Sequence, residues 1–337
     1  MRDFLVIRFS AMGDVLLTLP VLVQATEQNP DVRFIVLTRP KFAVFFEGYD
    51  RISVYPADVD KEFKGFLGLW RLVARLKSDY DFEAILDLHE HLRSKIIKRL
   101  FFGLPKFTLE KGRADKKALT RKENKQRKDL PHACERYAKV LHEAGIVFEL
   151  KSFGQAQNYF RALPVLPFQK KGKWVGLAPF AQHEGKIWPF EKIDALIQTL
   201  PSDFSILLFG GGAKEVGLLK PLAEKYANVV LVAGQFALKT ELSLISALDA
   251  MLCMDSSNMH MAALAGVPTV SIWGATHRQA GFGPFGNQGH RFVEISTAEL
   301  PCRPCSVYGN KPCFREDYAC LNRISPAQVS QELIAAI

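Results

Sequence analysis

The chain has 337 residues, of which 44 are Lys or Arg and 35 are Asp or Glu, giving a formal net charge of +9. Hydrophobic residues make up 48% and charged residues 23%, which excludes disordered, collagen-like and disulfide-rich classes and fits a soluble protein of about two domains. The positive charge is local: residues 93–128 hold 14 basic and 3 acidic residues, a net +11, so the other 301 residues sum to −2.

Apolar stretches are too short for a membrane-spanning or secretory segment. A spanning helix needs about 20 mostly apolar residues, and the best candidate, Phe4–Val23, is interrupted by Arg8 and Asp14. The N-terminal Met1–Asp3 leads into four apolar residues, which is too few for a signal peptide. We therefore expect a cytoplasmic protein with reduced thiols.

Short apolar runs alternate with helical patterns in the first half of the chain. Phe4–Ile7 predicts a buried strand, which is followed by a glycine turn and an apolar helix from Val15 toward Glu27. This alternation is typical of parallel strands in a doubly wound sheet. Further strands are predicted at Val32–Leu37, Ile52–Tyr55 and Ala84–Leu88, and further helices at Phe66–Leu76, His91–Phe101 and His132–Ala144.

The alternation restarts after residues 151–172, a stretch with two prolines and little periodicity that we interpret as an interdomain connection. We expect domains at 1–160 and 173–323, with a Cys-rich segment late in the second and a C-terminal helix at 324–337. The second half predicts strands at Trp174–Ala178, Ser205–Phe209, Val229–Val232, Ala250–Met254 and Thr269–Trp273, and helices at Pro189–Leu200, from the glycines at 210–212 to Tyr226, at Thr240–Leu248 and at Ser257–Ala265.

The segment Ser10–Asp14 lies between the first strand and the first helix. Gly13 permits a tight turn there with close backbone approach. Asp14 has two interpretations: an ordinary helix N-cap, or a carboxylate base at the carboxyl end of a strand, kept ionised by the helix dipole.

Three further segments carry polar or glycine residues near predicted strand ends. Lys186 precedes the helix at Pro189 and is either a point cation for a phosphate or a solvated surface lysine. Gly210–Glu215 permits close approach to a ligand or is only a glycine-rich turn, and it matches neither a P-loop nor G-x-G-x-x-G. Asp255–His260 opens a helix, where exposed N–H groups favour a phosphate site over a purely structural role.

Two clusters contain candidate metal ligands. Four cysteines fall within 19 residues, at Cys302, Cys305, Cys313 and Cys320. In a reducing compartment this spacing suggests a structural four-thiolate Zn site, with reduced, packed thiols as the alternative, and a closed site of this kind has no open position for catalysis. The D-x-D at 58–60 can hold a divalent metal on a nucleotide sugar, but its irregular surroundings favour a solvated loop.

The polar and glycine-rich segments occur in a characteristic order along nearly the whole chain. They are Arg8–Val15, Thr18–Pro20, Lys186–Pro189, the glycine turn with Glu215, Asp255–Ala263, Gly266–Pro268 and Trp273–Thr276. In order and spacing they resemble the ADP-heptose–lipopolysaccharide heptosyltransferases and their relatives in glycosyltransferase family 9.

The resemblance implies a GT-B fold, in which two Rossmann-like doubly wound domains face each other across a cleft. The domain at 1–160 would bind the acceptor and the domain at 173–323 the nucleotide sugar. The implied activity is inverting, metal-independent transfer of a heptose or similar sugar, from ADP-heptose, to a hydroxyl of an anionic lipopolysaccharide core or lipid-linked acceptor. It requires no cofactor. A family member using a different nucleotide sugar is the alternative within this class.

The resemblance also assigns roles to individual residues. Asp14 would be the catalytic base, Lys186 would face the diphosphate, and Glu215 the nucleotide ribose. The family usually has Gly where Ser257 stands, which leaves the loop geometry and the accepted sugar open. Phe236 would pack near the nucleotide base, the donor sugar and diphosphate would contact Asp255, Ser256, Ser257, Asn258, Met259 and His260, and the acceptor would contact Ser10, Met12, Gly13, Arg93 and Lys95.

The basic stretch 93–128 has three interpretations. The first is a solvated mobile loop. The second is a binding surface for an anionic glycolipid, which would associate the enzyme with the inner face of the cytoplasmic membrane. The rival functional class is nucleic-acid binding, with Phe101, Phe102 and Phe107 stacking on bases. No nucleic-acid-binding motif is identifiable and this class leaves the two predicted lobes unexplained, so we expect no nucleic-acid partner.

Overall fold

The computed structural model of the chain describes residues 1–151, 157–286 and 289–337. Part of the predicted interdomain connection, at 152–156, therefore lies outside the described residues. The chain divides into two compact units. The first contains Met1–Gly112, 131–151 and Tyr159–Ala162, and the second contains Arg113–Leu130, 157–158 and Leu163–Ile337.

The first unit is built on a sheet of five parallel strands in the order β3-β2-β1-β4-β5. Its strands are β1 (Arg2–Ile7), β2 (Val32–Thr38), β3 (Ile52–Pro56), β4 (Phe82–Asp87) and β5 (Lys106–Thr108). The central strand β1 is almost wholly buried, as expected for a strand covered on both faces. The strand order reverses between β1 and β4, and ligands of open α/β sheets bind at the carboxyl ends of such a pair.

The first long helix predicted by the sequence is two helices. The hydroxyl of Thr18 donates to the carbonyl of Val15 at 2.7 Å, which competes with the helical ladder, and Pro20 lies in the first turn of the next helix. The first six helices are α1 (Met12–Leu16), α2 (Leu19–Gln28), α3 (Gly65–Asp79), α4 (Leu92–Leu100), α5 (Arg113–Leu119) and α6 (Ala133–Glu143), with a 3₁₀ helix at Pro40–Phe46. Of these, α5 belongs to the second unit.

The second unit has six parallel strands in the order β11-β10-β9-β6-β7-β8, which is the doubly wound nucleotide-binding order. Its strands are β6 (Trp174–Ala178), β7 (Ser205–Leu208), β8 (Val229–Leu231), β9 (Ala250–Met254), β10 (Thr269–Ile272) and β11 (Arg291–Val293). Its other helices are α7 (Glu191–Thr199), α8 (Gly212–Lys225), α9 (Leu238–Ser246), α10 (Ser257–Leu264), α11 (Ala319–Asn322) and α12 (Pro326–Ile334), with 3₁₀ helices at Glu184–Lys186 and Arg278–Ala280.

The predicted C-terminal helix is α12, and it belongs to the second unit. The hydroxyl of Ser325 accepts the N–H of Gln328 at 3.2 Å, which caps the helix. Val329 and Leu333 are buried in the core of this unit. Among the helices of the described ranges, none is long and apolar enough to cross a membrane.

The basic stretch is divided between the two units, although the predicted domain boundary placed all of it in the first. Arg113–Leu130 belongs to the second unit because its contacts are there. Leu119 and Leu130 are buried in a small apolar cluster of that unit, and Lys125 donates to the carbonyl of Pro304 at 2.7 Å. The charge that the sequence shows as one segment is therefore shared between the two units.

Candidate functional site

Polar residues of the first unit gather at the carboxyl ends of β1 and β4. Asp14 is the third residue of α1, and its Oδ2 accepts the N–H of Ala11 at 3.2 Å. The same oxygen lies 2.6 Å from Nη2 of Arg8, which directly follows β1. Both contacts use Oδ2, so they leave Oδ1 of this partly exposed carboxylate for another partner. Asp14 thus serves the helix end and also forms an ion pair with a buried cation.

Arg8 is a site residue that the sequence analysis included only as part of a motif. Its Nη1 donates to the carbonyl of Leu88, and its guanidinium carbon lies 5.7 Å from the ring centre of Tyr137. These contacts fix the guanidinium, which in turn fixes the Asp14 carboxylate. The sequence signal for this role was a charged residue directly after the apolar run Phe4–Ile7.

His89 is a second residue of this site that was not predicted. One of its ring nitrogens, Nε2, lies 3.2 Å from the hydroxyl of Ser10. Burial, together with the charges of Arg8 and His91, lowers the pKa of His89 to about 3. His89 is therefore a neutral hydrogen-bonding group near neutral pH.

Asp87, at the end of β4, shapes the turn that carries His89. Its fully buried carboxylate accepts the N–H groups of His89 at 3.0 Å and Glu90 at 2.8 Å, and the Ser94 hydroxyl at 3.1 Å. Lys98 neutralises it at 2.9 Å. These bonds satisfy a buried charge that otherwise strongly destabilises a fold.

The structure places the five predicted acceptor residues in two groups. Ser10, Met12 and Gly13 lie beside Asp14 at the carboxyl end of β1. Arg93 and Lys95 lie on α4 and form ion pairs with other residues. Arg93 contacts Asp60 at 2.8 Å and Lys95 contacts Glu90 at 2.9 Å.

The D-x-D segment forms a turn. Oδ1 of Asp58 accepts the N–H groups of Asp60 at 3.1 Å and Lys61 at 3.0 Å. The carboxylate of Asp60 pairs with Arg39 and Arg93. This geometry agrees with the interpretation of the segment as a loop.

In the second unit, Lys186 and Asp255 form an ion pair beyond the carboxyl ends of β6 and β9, the two neighbouring strands between which the strand order reverses. Lys186 ends the 3₁₀ helix that follows β6, and Asp255 directly follows β9. Nζ of Lys186 lies 2.8 Å from Oδ2 of Asp255, and the side chains are 15% and 8% exposed. The sequence predicted both residues at a phosphate site, and the structure brings them into contact.

The start of α10 shows the backbone at Ser257, where the resemblance led us to expect glycine. Ser256 is the N-cap, with extended backbone, and Ser257 is the first helical residue, so no positive φ is needed at this position. The buried hydroxyl of Ser256 has no hydrogen-bond partner among the described residues. Asn258 is partly exposed, whereas Met259 has no exposed surface to offer a ligand and His260 is buried.

The glycine turn after β7 is held by its own glutamate. Gly212 adopts a φ of +79°, which favours glycine, and Oε2 of Glu215 accepts the N–H of Gly211 at 2.6 Å. Phe236, before α9, is partly buried and packs against Phe168, with ring centres 6.4 Å apart. Glu215 and Phe236, the two residues predicted to contact the nucleotide, are both partly exposed.

Arg303 fixes the loop that follows β10, a role the sequence did not indicate. This fully buried guanidinium donates to the carbonyls of Gly274 at 2.7 Å and Trp273 at 2.8 Å. Glu294 pairs with it at 3.1 Å. The hydroxyl of Thr276 in the same loop is buried without a partner in the described part of the chain.

The four clustered cysteines are free thiols. Over the described ranges, no three His, Cys, Asp or Glu side chains are placed to hold a metal ion, so the ligand set of the Zn prediction is not assembled. Burial raises the pKa of Cys305 and raises that of Cys320 to about 12.

Comparison with known proteins decides the family. Residues 69–312 match the model for glycosyltransferase family 9 (heptosyltransferase). The chain belongs to glycosyltransferase family 9. This family 9 chain is 24% identical over 363 residues to lipopolysaccharide heptosyltransferase 1 of Pseudomonas aeruginosa, covering 99% of this chain and 97% of the relative.

Two solved structures are similar to the family 9 chain over its whole length. E. coli heptosyltransferase WaaC with ADP matches with a TM-score of 0.70 at 20% identity, covering 99% of this chain and 100% of that one. The same enzyme with ADP-2-deoxy-2-fluoro heptose matches with a TM-score of 0.68 at 20% identity and the same coverage. With the two parallel sheets, this likeness confirms the predicted GT-B fold.

Proposed function

We propose that this glycosyltransferase moves a heptose from ADP-heptose to a hydroxyl of an anionic lipopolysaccharide core or lipid-linked acceptor, with inversion and without a metal. The main support for the proposal is the Lys186–Asp255 pair, since it places a partly exposed cation where a doubly wound sheet binds phosphates. Support for the acceptor comes from the relative that is named lipopolysaccharide heptosyltransferase 1. Support for the donor comes from the similar heptosyltransferase structures with ADP and with ADP-2-deoxy-2-fluoro heptose.

The donor side of the proposal rests on unused hydrogen-bond donors. A lysine ammonium has three donors, so Lys186 has others to offer a diphosphate after contacting Asp255. The unpartnered hydroxyl of Ser256 and the N–H groups at the start of α10 add neutral donors. Negative charge develops on the departing ADP, and these groups would stabilise it.

On the acceptor side, Asp14 would act as the base. The acceptor hydroxyl oxygen attacks the anomeric carbon as the bond from that carbon to the diphosphate oxygen breaks. Asp14 takes the hydroxyl proton, and ADP leaves with the electron pair of the broken bond. Arg8 holds the carboxylate in position through Oδ2, and the neutral His89 helps to position Ser10. We also propose that the reaction takes place at the inner face of the cytoplasmic membrane.

The structure removes one of the three aromatic residues on which the nucleic-acid alternative rests. Of the aromatic residues proposed to stack on bases, Phe101 is completely buried and packs against Phe82, whereas Phe102 is 80% exposed. Stacking needs an exposed ring face. Phe101 therefore cannot stack on a base, whereas Phe107 is partly exposed.

Binding of nucleotide sugars tests the donor assignment. We expect ADP-heptose and ADP to raise the melting temperature in a thermal-shift panel with UDP- and GDP-linked sugars. At 100 times its Kd a ligand adds about 2.7 kcal/mol to the free energy of unfolding, which is easily measured. A shift with only UDP- or GDP-sugars would instead support the family 9 alternative with another donor.

A further inference from the structure

One surface of the first unit exposes large apolar side chains next to cations. Phe66, Leu67 and Trp70 on α3 are 60%, 73% and 55% exposed, and Phe102 just after α4 is 80% exposed. Phe66 and Trp70 are four residues apart and so share one face of α3. Arg99 and Lys106 are exposed cations of the same region, and we call these six residues the aromatic-basic surface.

The exposed apolar residues are not needed to pack α3 against the core. Helix α3 buries a separate stripe at Leu69, Leu72 and Leu76, which supplies its contact with the core. Phe66 and Trp70 lie outside this stripe. A cluster of exposed aromatic side chains on a soluble unit marks an interaction site.

A groove of about 780 Å³ opens at this surface and is lined by aromatic, apolar and basic side chains. Phe66 and Phe102 supply rings, and Arg99 and Lys106 supply positive charge. Among the described residues, neither Arg99 nor Lys106 has an ion-pair partner. In the described part of the chain, no acidic side chain lines the groove. The lining residues are Phe66, Lys95, Ile96, Lys98, Arg99, Leu100, Phe102 and Lys106.

We propose that the aromatic-basic surface docks on an anionic lipid bilayer, with the aromatic side chains in the headgroup region and Arg99 and Lys106 on lipid phosphates. Aromatic rings favour the membrane interface, and basic residues beside them are attracted to anionic lipids. The inference deepens the proposed function, on which it rests for the lipid-linked acceptor. It places the membrane contact on α3 and α4, rather than along the whole basic stretch.

Charge argues against a second copy of this chain as the occupant. In a twofold dimer the same patch meets itself, so Arg99 and Lys106 would face like charges without acidic partners in the groove. A bilayer containing phosphatidylglycerol supplies the opposite charge and accepts the apolar rings at once. The surface therefore fits an anionic membrane better than it fits itself.

Tryptophan fluorescence can observe this contact directly. The chain has 4 Trp, and Trp174, Trp188 and Trp273 are at most 2% exposed, which leaves Trp70 as the accessible one. We expect vesicles of phosphatidylethanolamine and phosphatidylglycerol with brominated acyl chains to quench Trp70 and shift its emission to the blue. Added salt should weaken binding. Trp70→Phe should lose the quenching while most binding in a flotation assay remains.

Paired variants separate the apolar and charged contributions. Arg99→Gln with Lys106→Gln should weaken vesicle binding about 30-fold, since each removes the attraction of one cation. Phe66→Ser with Phe102→Ser should abolish the quenching of Trp70. The matched controls, Val147→Ser in the first unit and Lys220→Gln in the second, change exposed residues elsewhere and should bind vesicles as the wild type does.

Three results would overturn the proposal. The first is that the wild-type protein does not bind anionic vesicles, and the second is that both paired variants bind them as the wild type does. The third is a concentration-dependent dimerisation that the variants abolish, which would assign the surface to a second copy of the chain. The vesicle assay contains no nucleotide sugar. A failed donor assignment would therefore leave vesicle binding intact, and failed docking would leave the ADP-dependent thermal shift of all variants unchanged.

Discussion

Replacing Asp14 by Asn is expected to lower kcat by about 10²–10⁴-fold, the usual contribution of a general base. The amide keeps the size of the side chain and an oxygen for the N–H of Ala11, but it cannot take a proton from the acceptor. The affinity for ADP should stay unchanged, because the proposed donor residues belong to the second unit. Steady-state kinetics and ADP titration of the same preparation measure both quantities.

Asp3→Asn is the matched control for this variant. Asp3 also pairs with an arginine, Arg33, and lies in β1 of the same unit, but at the other end of the strand from Asp14. Both variants remove a carboxylate from an Arg–Asp pair, so both should lose some stability. If Asp14→Asn turned over like Asp3→Asn, the base would have to be another group.

The second large effect is expected for Lys186→Met. Removing one charge-stabilising donor from a reacting group costs about 2.7–4 kcal/mol of transition-state stabilisation, or 10²–10³-fold in kcat/KM. The variant also leaves Asp255 buried without its cation, and breaking a buried pair in this way costs about 3–5 kcal/mol of folding stability. Kinetics and urea unfolding measure the two losses separately.

A double variant separates function from stability in this pair. Lys186→Met with Asp255→Asn removes both charges, so the free energy of unfolding should recover while kcat/KM stays low. Lys225→Met is the matched control, because Lys225 forms an exposed pair with Asp194 in the same unit, 2.7 Å apart. Recovery of activity together with stability in the double variant would make Lys186 a structural residue only.

Strand positions could be predicted from the sequence wherever strands are buried. Trp174–Ala178 and Ala250–Met254 are found with the predicted bounds, because both are continuous apolar runs between polar turns. The edge strands β5 and β11 were not predicted. Each has three residues, is partly exposed and begins with a cation, so it shows neither an apolar run nor a period.

The sequence nominates candidate site residues where polar or glycine residues lie near the ends of predicted strands. Asp14 and Asp255 were nominated in this way and stay predictions, whereas the pairing of Lys186 with Asp255 depends on two strands that become neighbours only in the folded sheet. The same limit applies to Arg303, because most of its partners are backbone carbonyls. Backbone acceptors have no sequence signature.

The division of the basic stretch could not be predicted for a similar reason. Counting charges showed one segment from 93 to 128, and its chain position suggested one domain. Leu119 and Leu130 pack with Ala280, which is far away in sequence, and these apolar contacts decide which unit holds Arg113–Leu130. Net charge describes partners and solubility, but it does not determine packing.

The most direct test of the account is a transfer reaction with defined products. Purified enzyme, ADP-heptose and heptose-deficient lipopolysaccharide acceptor should release one ADP for each heptose attached, and NMR should show an anomeric configuration inverted relative to the donor. Asp14→Asn should remove this activity. A retained configuration, or transfer that occurs only from a UDP- or GDP-linked sugar, would contradict the account.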